Sequence, residues 1–150
     1  MANPAVGAMM GLSLVAVPVF LDTNTQSEQL LAQFASLYDY GHKLMPTIAV
    51  ATCALHGWVA ARKRAAHQPW GRPVLAAVTT ITMVPFTWVC MVSTNNALFQ
   101  LHKGADANME MVRALIARWQ WLHVARSLFP LAGAIVACQT LLKELVGGSR

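Results

Sequence analysis

The feature that most constrains this chain is residues 73–92, a run without one charged side chain. Three further stretches are almost as apolar, at residues 5–21, 44–61 and 119–142. A helix needs about 20 apolar residues, and at least roughly 17, to cross the hydrocarbon core of a bilayer. The pattern therefore predicts an all-α fold in which four transmembrane helices form a single domain over residues 1–150.

The composition agrees with a protein embedded in lipid. Only 11% of the residues are charged and 56% are hydrophobic, whereas soluble domains average about 25% charged residues. The net charge of +5 includes no basic run interleaved with aromatic residues, so nucleic acid is not expected as a partner. A signal peptide is the alternative reading of residues 5–21, but no Lys or Arg precedes them and no small-residue cleavage site follows, which favours a retained span.

The distribution of charge predicts the topology. The most basic segment is residues 62–72, whereas the connector expected at residues 22–33 carries mainly acids. Basic loops face the cytosol, so this loop and both termini are predicted to be cytosolic. Trp58 and Trp70 flank the basic loop, as residues of an interfacial aromatic belt do.

A break near Gly104 separates the third and fourth apolar stretches. Asp106 is expected to cap the helix that follows, with Glu110 in its first turn. Apolar residues then recur at helical spacing from Met109 up to the fourth span. The sequence therefore predicts that the third and fourth helices extend beyond the membrane as a hairpin.

Several kinds of chemistry are excluded by what the apolar stretches lack. None contains a carboxylate, because all six acids lie outside them: Asp22, Glu28, Asp39, Asp106, Glu110 and Glu144. A di-iron bundle or a catalytic carboxylate pair is therefore not expected. The three cysteines stand alone, which argues against a disulfide framework or a zinc site. Chemistry inside the bundle must use His, Arg, Asn, Thr, Ser and aromatic side chains.

His123 and Arg126 are ionisable residues within the fourth apolar stretch, three positions apart on one helical surface. Burial and a nearby guanidinium both disfavour a charged imidazole, so His123 is expected to be neutral and able to accept a proton. Arg126 can hold an oxyanion. This pair suits removal of a proton from a carbon next to a carbonyl or phenolate. Equally, Arg126 could extend to an interface while His123 bonds to a backbone carbonyl.

Asn95 and Asn96 offer neutral hydrogen-bonding groups at the end of the third apolar stretch. Asparagines at a membrane edge also cap helices and form turns, and that reading stays open. In a hairpin turning near Gly104, Asn95 would lie about 13 Å along the axis from His123 at 1.5 Å per residue. His56 is expected in the core or at an interface, and His42 at the surface.

Three segments of this sequence resemble the anthrone oxygenase family, small integral-membrane proteins found in polyketide pathways. The resemblance is strongest over residues 85–130. The segments are Pro85-Phe86-Thr87-Trp88, Thr94-Asn95-Asn96-Ala97-Leu98 and the stretch from Arg118-Trp119-Gln120-Trp121 through His123 and Arg126 to Pro130.

The resemblance implies a four-helix membrane enzyme that oxidises a polycyclic aromatic anthrone to an anthraquinone with O2, without metal or flavin. In such a reaction His123 would remove the methylene proton and Arg126 would stabilise the resulting anion. Asn95 and Asn96 would hold a substrate oxygen or the peroxide. An apolar slot for the substrate would be lined by Thr87, Trp88, Trp119 and Trp121.

Two other functions remain open at this point. A non-catalytic membrane bundle could bind a lipophilic aromatic ligand or a pathway partner. A bundle that binds heme through His56 and His123 is a further reading. The sequence leaves homo-oligomerisation open.

Overall fold

The computed structural model describes residues 4–104 and 107–147 of the chain. Four helices in this part are long and apolar enough to cross a membrane: Val6–Thr23, Ser27–Ala65, Gly71–Lys103 and Met109–Val146. They are called the first to the fourth helix below. No strand occurs among the described residues. The predicted all-α bundle of four membrane helices is therefore confirmed.

The second helix, Ser27–Ala65, begins far earlier than the second apolar stretch. The connector predicted at residues 22–33 is therefore wrong for most of its length. Leu30 and Phe34 recur at helical spacing, are no more than 3% exposed and pack into the main apolar cluster. Glu28 is exposed on the same turns. A helix with one apolar stripe and one polar face has a low mean hydropathy, which explains why the hydropathy pattern missed it.

The third and fourth helices form the predicted hairpin, and the fourth spans Met109–Gly147. Asn108 caps the fourth helix, because its side-chain Oδ1 accepts hydrogen bonds from the backbone N–H groups two and three residues on, at 2.8 and 3.3 Å. The predicted cap, Asp106, lies outside the described residues. Asn108 therefore performs the capping that the sequence assigned two positions earlier.

Two helices widen locally into π-helical turns. The first helix is π-helical at Leu12–Ala16, between the α-helical segments Pro4–Gly11 and Val17–Thr23. The third is π-helical at Thr87–Met91, and its α-helical segments are Gly71–Ile81, Met83–Phe86 and Val92–Lys103. Pro18 and Pro85 lie close to these turns, and a proline ring cannot donate the usual backbone hydrogen bond. Such turns are frequent at functional sites.

The link between the second and third helices lies at the same end of the bundle as the two ends of the described chain. An ion pair between Lys63 Nζ and Glu144 Oε1 joins the second and fourth helices at this end. The same end carries Arg62 and Arg64 in the last turn of the second helix. The cytosolic orientation of this basic end stays a prediction.

Candidate active site

A cavity of about 330 Å³ lies inside the bundle and takes lining residues from all four helices. Ligand pockets in proteins typically measure about 300–1,000 Å³. Most of the lining is apolar, and four methionines contribute to it: Met9, Met45, Met83 and Met91. The exposed lining side chains are His42 and Pro46 of the second helix and Trp88 of the third. The cavity therefore opens between the second and third helices.

His123 lies on the cavity wall and is only 3% exposed. Its Nδ1 is 2.7 Å from the hydroxyl oxygen of Ser13 on the first helix. Its ring stacks on Trp119, with 4.7 Å between the ring centroids and 28° between the planes. Phe34 in turn packs edge-on against Trp119 at 5.3 Å. With Nδ1 engaged by Ser13, Nε2 is the ring nitrogen left for a ligand in the cavity.

Arg126 also lines the cavity, one helical turn beyond His123. One of its terminal nitrogens donates to Thr87 Oγ1 at 3.3 Å, and the Thr87 hydroxyl donates to the Met83 carbonyl at 2.8 Å. Its Nε is buried without a hydrogen-bond partner among the described residues. None of the ion pairs found in this part of the chain includes Arg126. A half-buried cation without a carboxylate beside it favours the binding of an anion.

The two adjacent asparagines lie in different environments. Asn95 is 4% exposed and lines the cavity together with His123, so the two residues that a simple hairpin places about 13 Å apart share one site. Its Oδ1 has no hydrogen-bond partner within the described ranges. Asn96 is exposed and lies outside the cavity. Both asparagines lie within the α-helical segment Val92–Lys103, so neither forms a turn at its end.

The predicted slot residues divide in the same way. Thr87, Trp88 and Trp119 line the cavity, whereas Trp121 does not and is 66% exposed. Two residues on along a helix, a side chain points to nearly the opposite face, so Trp119 and Trp121 cannot both face one cavity. The structure therefore brings together His123, Arg126, Asn95, Thr87, Trp88 and Trp119. It does not bring Asn96 or Trp121 to them.

Sequence reasoning missed the contribution of the second helix. Tyr38 and His42 line the cavity, and their rings are stacked at 5.5 Å. The sequence places His42 at the surface; the side chain is exposed, but it also forms part of the cavity rim. The spacing of Phe34, Tyr38 and His42 at every fourth residue was the available signal, because it marks one helical face.

His56 lies outside the cavity that His123 lines. The structure therefore does not bring together the two histidines that the heme-binding hypothesis requires. In the described ranges, no group of three or more His, Cys, Asp or Glu side chains could hold a metal ion. Cys53, Cys90 and Cys138 are all free thiols.

The family model and the relatives that match this chain agree with each other. Residues 34–136 match the family model described as anthrone oxygenase. The chain is 52% identical over 139 residues to anthrone oxygenase tpcL of Aspergillus fumigatus, an alignment that covers 92% of this chain and 86% of that protein. It is likewise 52% identical over 141 residues to anthrone oxygenase nsrD of Aspergillus novofumigatus, covering 93% and 87%.

A more distant relative carries a related name. The chain is 40% identical over 135 residues to noranthrone monooxygenase of Aspergillus flavus, with 87% of this chain and 64% of that protein covered. No solved structure matches the chain.

Proposed function

The chain belongs to the anthrone oxygenase family, and on that premise we propose that it converts a polyketide anthrone to an anthraquinone with molecular oxygen and no other cofactor. His123 Nε2 removes a proton from the methylene carbon of the anthrone. The resulting anion is delocalised over the fused rings and the ketone oxygen. This electron-rich anion is the species that reacts with O2.

The proposed reaction balances without an external reductant. The anion gives electrons to O2 and forms a carbon–oxygen bond, and the peroxide takes up a proton to become a hydroperoxide. Loss of water from the hydroperoxide then converts the carbon to a ketone. One oxygen atom of O2 stays in the quinone, and the other leaves as water with the two methylene hydrogens. The substrate supplies all the electrons.

The observation that carries this proposal is the pairing of Arg126 and His123 on one cavity. Arg126 is a cation with no ion-pair partner among the described residues, so its charge is available to stabilise negative charge on the substrate oxygens. His123 supplies the base at the same wall. A base beside a fixed cation matches a reaction whose key intermediate is an anion.

Other lining residues complete the proposed site. The Oδ1 of Asn95 has no partner among the described residues and is available to accept a hydrogen bond from a substrate hydroxyl or from the hydroperoxide. Trp119 and Trp88 provide flat apolar surfaces for a polycyclic substrate. Thr87 holds the Arg126 guanidinium in place. Asn96 and Trp121 lie outside the cavity and have no role in this proposal.

We propose that the substrate reaches the cavity from the lipid bilayer. The cavity opens between the second and third helices, whose outer faces carry exposed apolar residues such as Trp88, at 73% exposure, and Val50, at 62%. A lipophilic anthrone dissolved in the bilayer could enter there without crossing water. The basic end of the bundle, with both ends of the chain, would face the cytosol.

The test uses purified protein in lipid nanodiscs, treated with a chelator and mixed with dithranol, a dihydroxylated anthrone, under isotopically labelled O2. We expect faster quinone formation than in protein-free nanodiscs, with one labelled oxygen in the quinone. His123→Ala should slow turnover by about 10²–10⁴-fold. His102→Ala is the matched control, because His102 is exposed near the end of the third helix and should keep full activity.

A wild-type rate equal to the spontaneous oxidation would contradict the proposal. If dithranol then bound tightly without turnover, the non-catalytic lipophile-binding function would be favoured instead.

A further inference from the structure

We propose that Ser13 of the first helix is a positioning residue for His123. Its hydroxyl oxygen accepts a hydrogen bond from Nδ1–H, which leaves the lone pair of the imidazole on Nε2, facing the cavity. This inference rests on the proposed function, in which Nε2 is the base. It adds a residue from outside the family-matched region, which begins at residue 34.

The contact is close and fully enclosed. Ser13 Oγ lies 2.7 Å from His123 Nδ1, and Ser13 is 0% exposed. This is the only hydrogen bond found for the Ser13 side chain in the part of the chain that the structure describes. The two residues are 110 positions apart in sequence, so the bond ties the first helix to the fourth across the bundle.

The local backbone of the first helix places Ser13 at this position. Ser13 lies in the π-helical turn Leu12–Ala16, and Leu12 beside it lines the cavity. A π-helical turn inserts an extra residue into the helix and re-aims the side chains around it. Pro18, two residues beyond the turn, cannot donate the usual backbone hydrogen bond and favours this local widening. Ser13 lies within the widened turn, where its hydroxyl meets the imidazole of His123.

A hydroxyl suits this site better than the carboxylate that often orients a catalytic histidine. A carboxylate would offset the charge of Arg126, which the proposed reaction needs for the substrate anion. Ser13 instead orients the ring without adding negative charge. A serine hydroxyl can donate or accept, so the contact orients the ring, and the requirement that Nε2 be the base assigns the ring proton to Nδ1.

The opposite arrangement makes a different prediction. If the Ser13 hydroxyl donated its proton to Nδ1, then Nε2 would carry the ring proton and could not act as the base. The tautomer of His123 therefore discriminates between a positioning role and a purely structural bond.

The experiment compares Ser13→Ala with Ser127→Ala in nanodiscs. Ser127 is a matched control because it is also 0% exposed and its hydroxyl also contacts the first helix, at Met10 Sδ, but it does not bond to His123. We measure kcat and KM with dithranol. We also record the NMR spectrum of protein with isotope-labelled histidine nitrogens, assigning the His123 signals by their loss in His123→Gln.

We expect wild-type His123 to carry its proton on Nδ1. In Ser13→Ala the proton should redistribute toward Nε2 and kcat should fall about tenfold or more, because a misdirected base loses much of its contribution. KM should stay within about twofold, since Ser13 does not line the cavity. Ser127→Ala should keep both the tautomer and kcat.

Two outcomes would overturn the inference and leave the proposed function intact, provided that His123→Gln is inactive. One is a Ser13→Ala variant with wild-type kcat and unchanged His123 signals. The other is a Ser127→Ala variant that loses kcat as much as Ser13→Ala does. A His123→Gln variant with wild-type kcat would instead refute the proposed function itself.

Discussion

The third and fourth helices approach each other closely at Gly133, and replacing this residue by Ala should destabilise the protein. A Cβ atom at position 133 would lie 2.5 Å from Thr80 Oγ1 and 2.8 Å from the Ala76 carbonyl oxygen, well short of the 3.4 Å where ordinary contact begins. Thr80 is 1% exposed and its hydroxyl already donates to the Ala76 carbonyl. Neither atom can withdraw without cost, because Ala76 O belongs to the backbone of the third helix.

The expected magnitude follows from these contacts. Forcing one extra carbon into a packed interior costs typically about 1–3 kcal/mol. Rotating Thr80 away would relieve one contact but would break a buried hydrogen bond worth about 1 kcal/mol, and the contact with Ala76 O would remain. We therefore expect Gly133→Ala to lower the free energy of unfolding by about 1–3 kcal/mol.

The assay is equilibrium unfolding in mixed micelles, followed by circular dichroism. Gly57→Ala is the matched control, because Gly57 is also helical but a Cβ there would meet nothing within 4 Å. Alanine is favoured over glycine in a helix by about 0.5–1 kcal/mol, so this control should be as stable as wild type or more stable. Wild-type stability in Gly133→Ala would refute the close packing of the third and fourth helices at this level.

Three further predictions concern the cavity. Arg126→Gln should lower kcat by about 10²–10³-fold, because it removes the charge next to the substrate anion, whereas the exposed Arg118→Gln should not. Asn95→Ala should lower kcat/KM for dithranol about tenfold through the loss of a buried hydrogen bond, while Asn96→Ala should leave it within about twofold. Thr87→Val should reduce kcat less than Arg126→Gln, since it removes only a support of the guanidinium; an effect equal to that of Arg126→Gln would contradict this assignment.

Hydropathy predicted the four helices but not their true lengths. Residues 73–92 carry no charge and can satisfy their backbone in lipid only as a helix, so that segment was unambiguous. The first half of the second helix has a polar outer face. Its mean hydropathy is therefore low, although Leu30 and Phe34 form a buried apolar stripe. This error also removed Tyr38 and His42 from the candidate site.

Site residues can be predicted from the sequence where their burial in the membrane costs free energy. A cation at bilayer depth costs about 2.5–3.5 kcal/mol on insertion scales, so Arg126 indicates a functional site that includes its neighbour His123. The sequence predicts Asn95 and Asn96 alike as site residues, because it does not fix which face of the helix points inward. Ser13 carries no such cost, and hydropathy does not show which side of its π-helical turn points inward.

Deuterium exchange without oxygen measures whether His123 deprotonates the substrate before oxygen reacts. Dithranol and the protein in nanodiscs are incubated anaerobically in deuterated buffer, and exchange at the methylene carbon is followed by NMR. We expect the wild-type protein to accelerate this exchange over protein-free nanodiscs and His123→Ala not to accelerate it. Normal aerobic turnover by a wild-type protein that leaves anaerobic exchange at the background rate would contradict it.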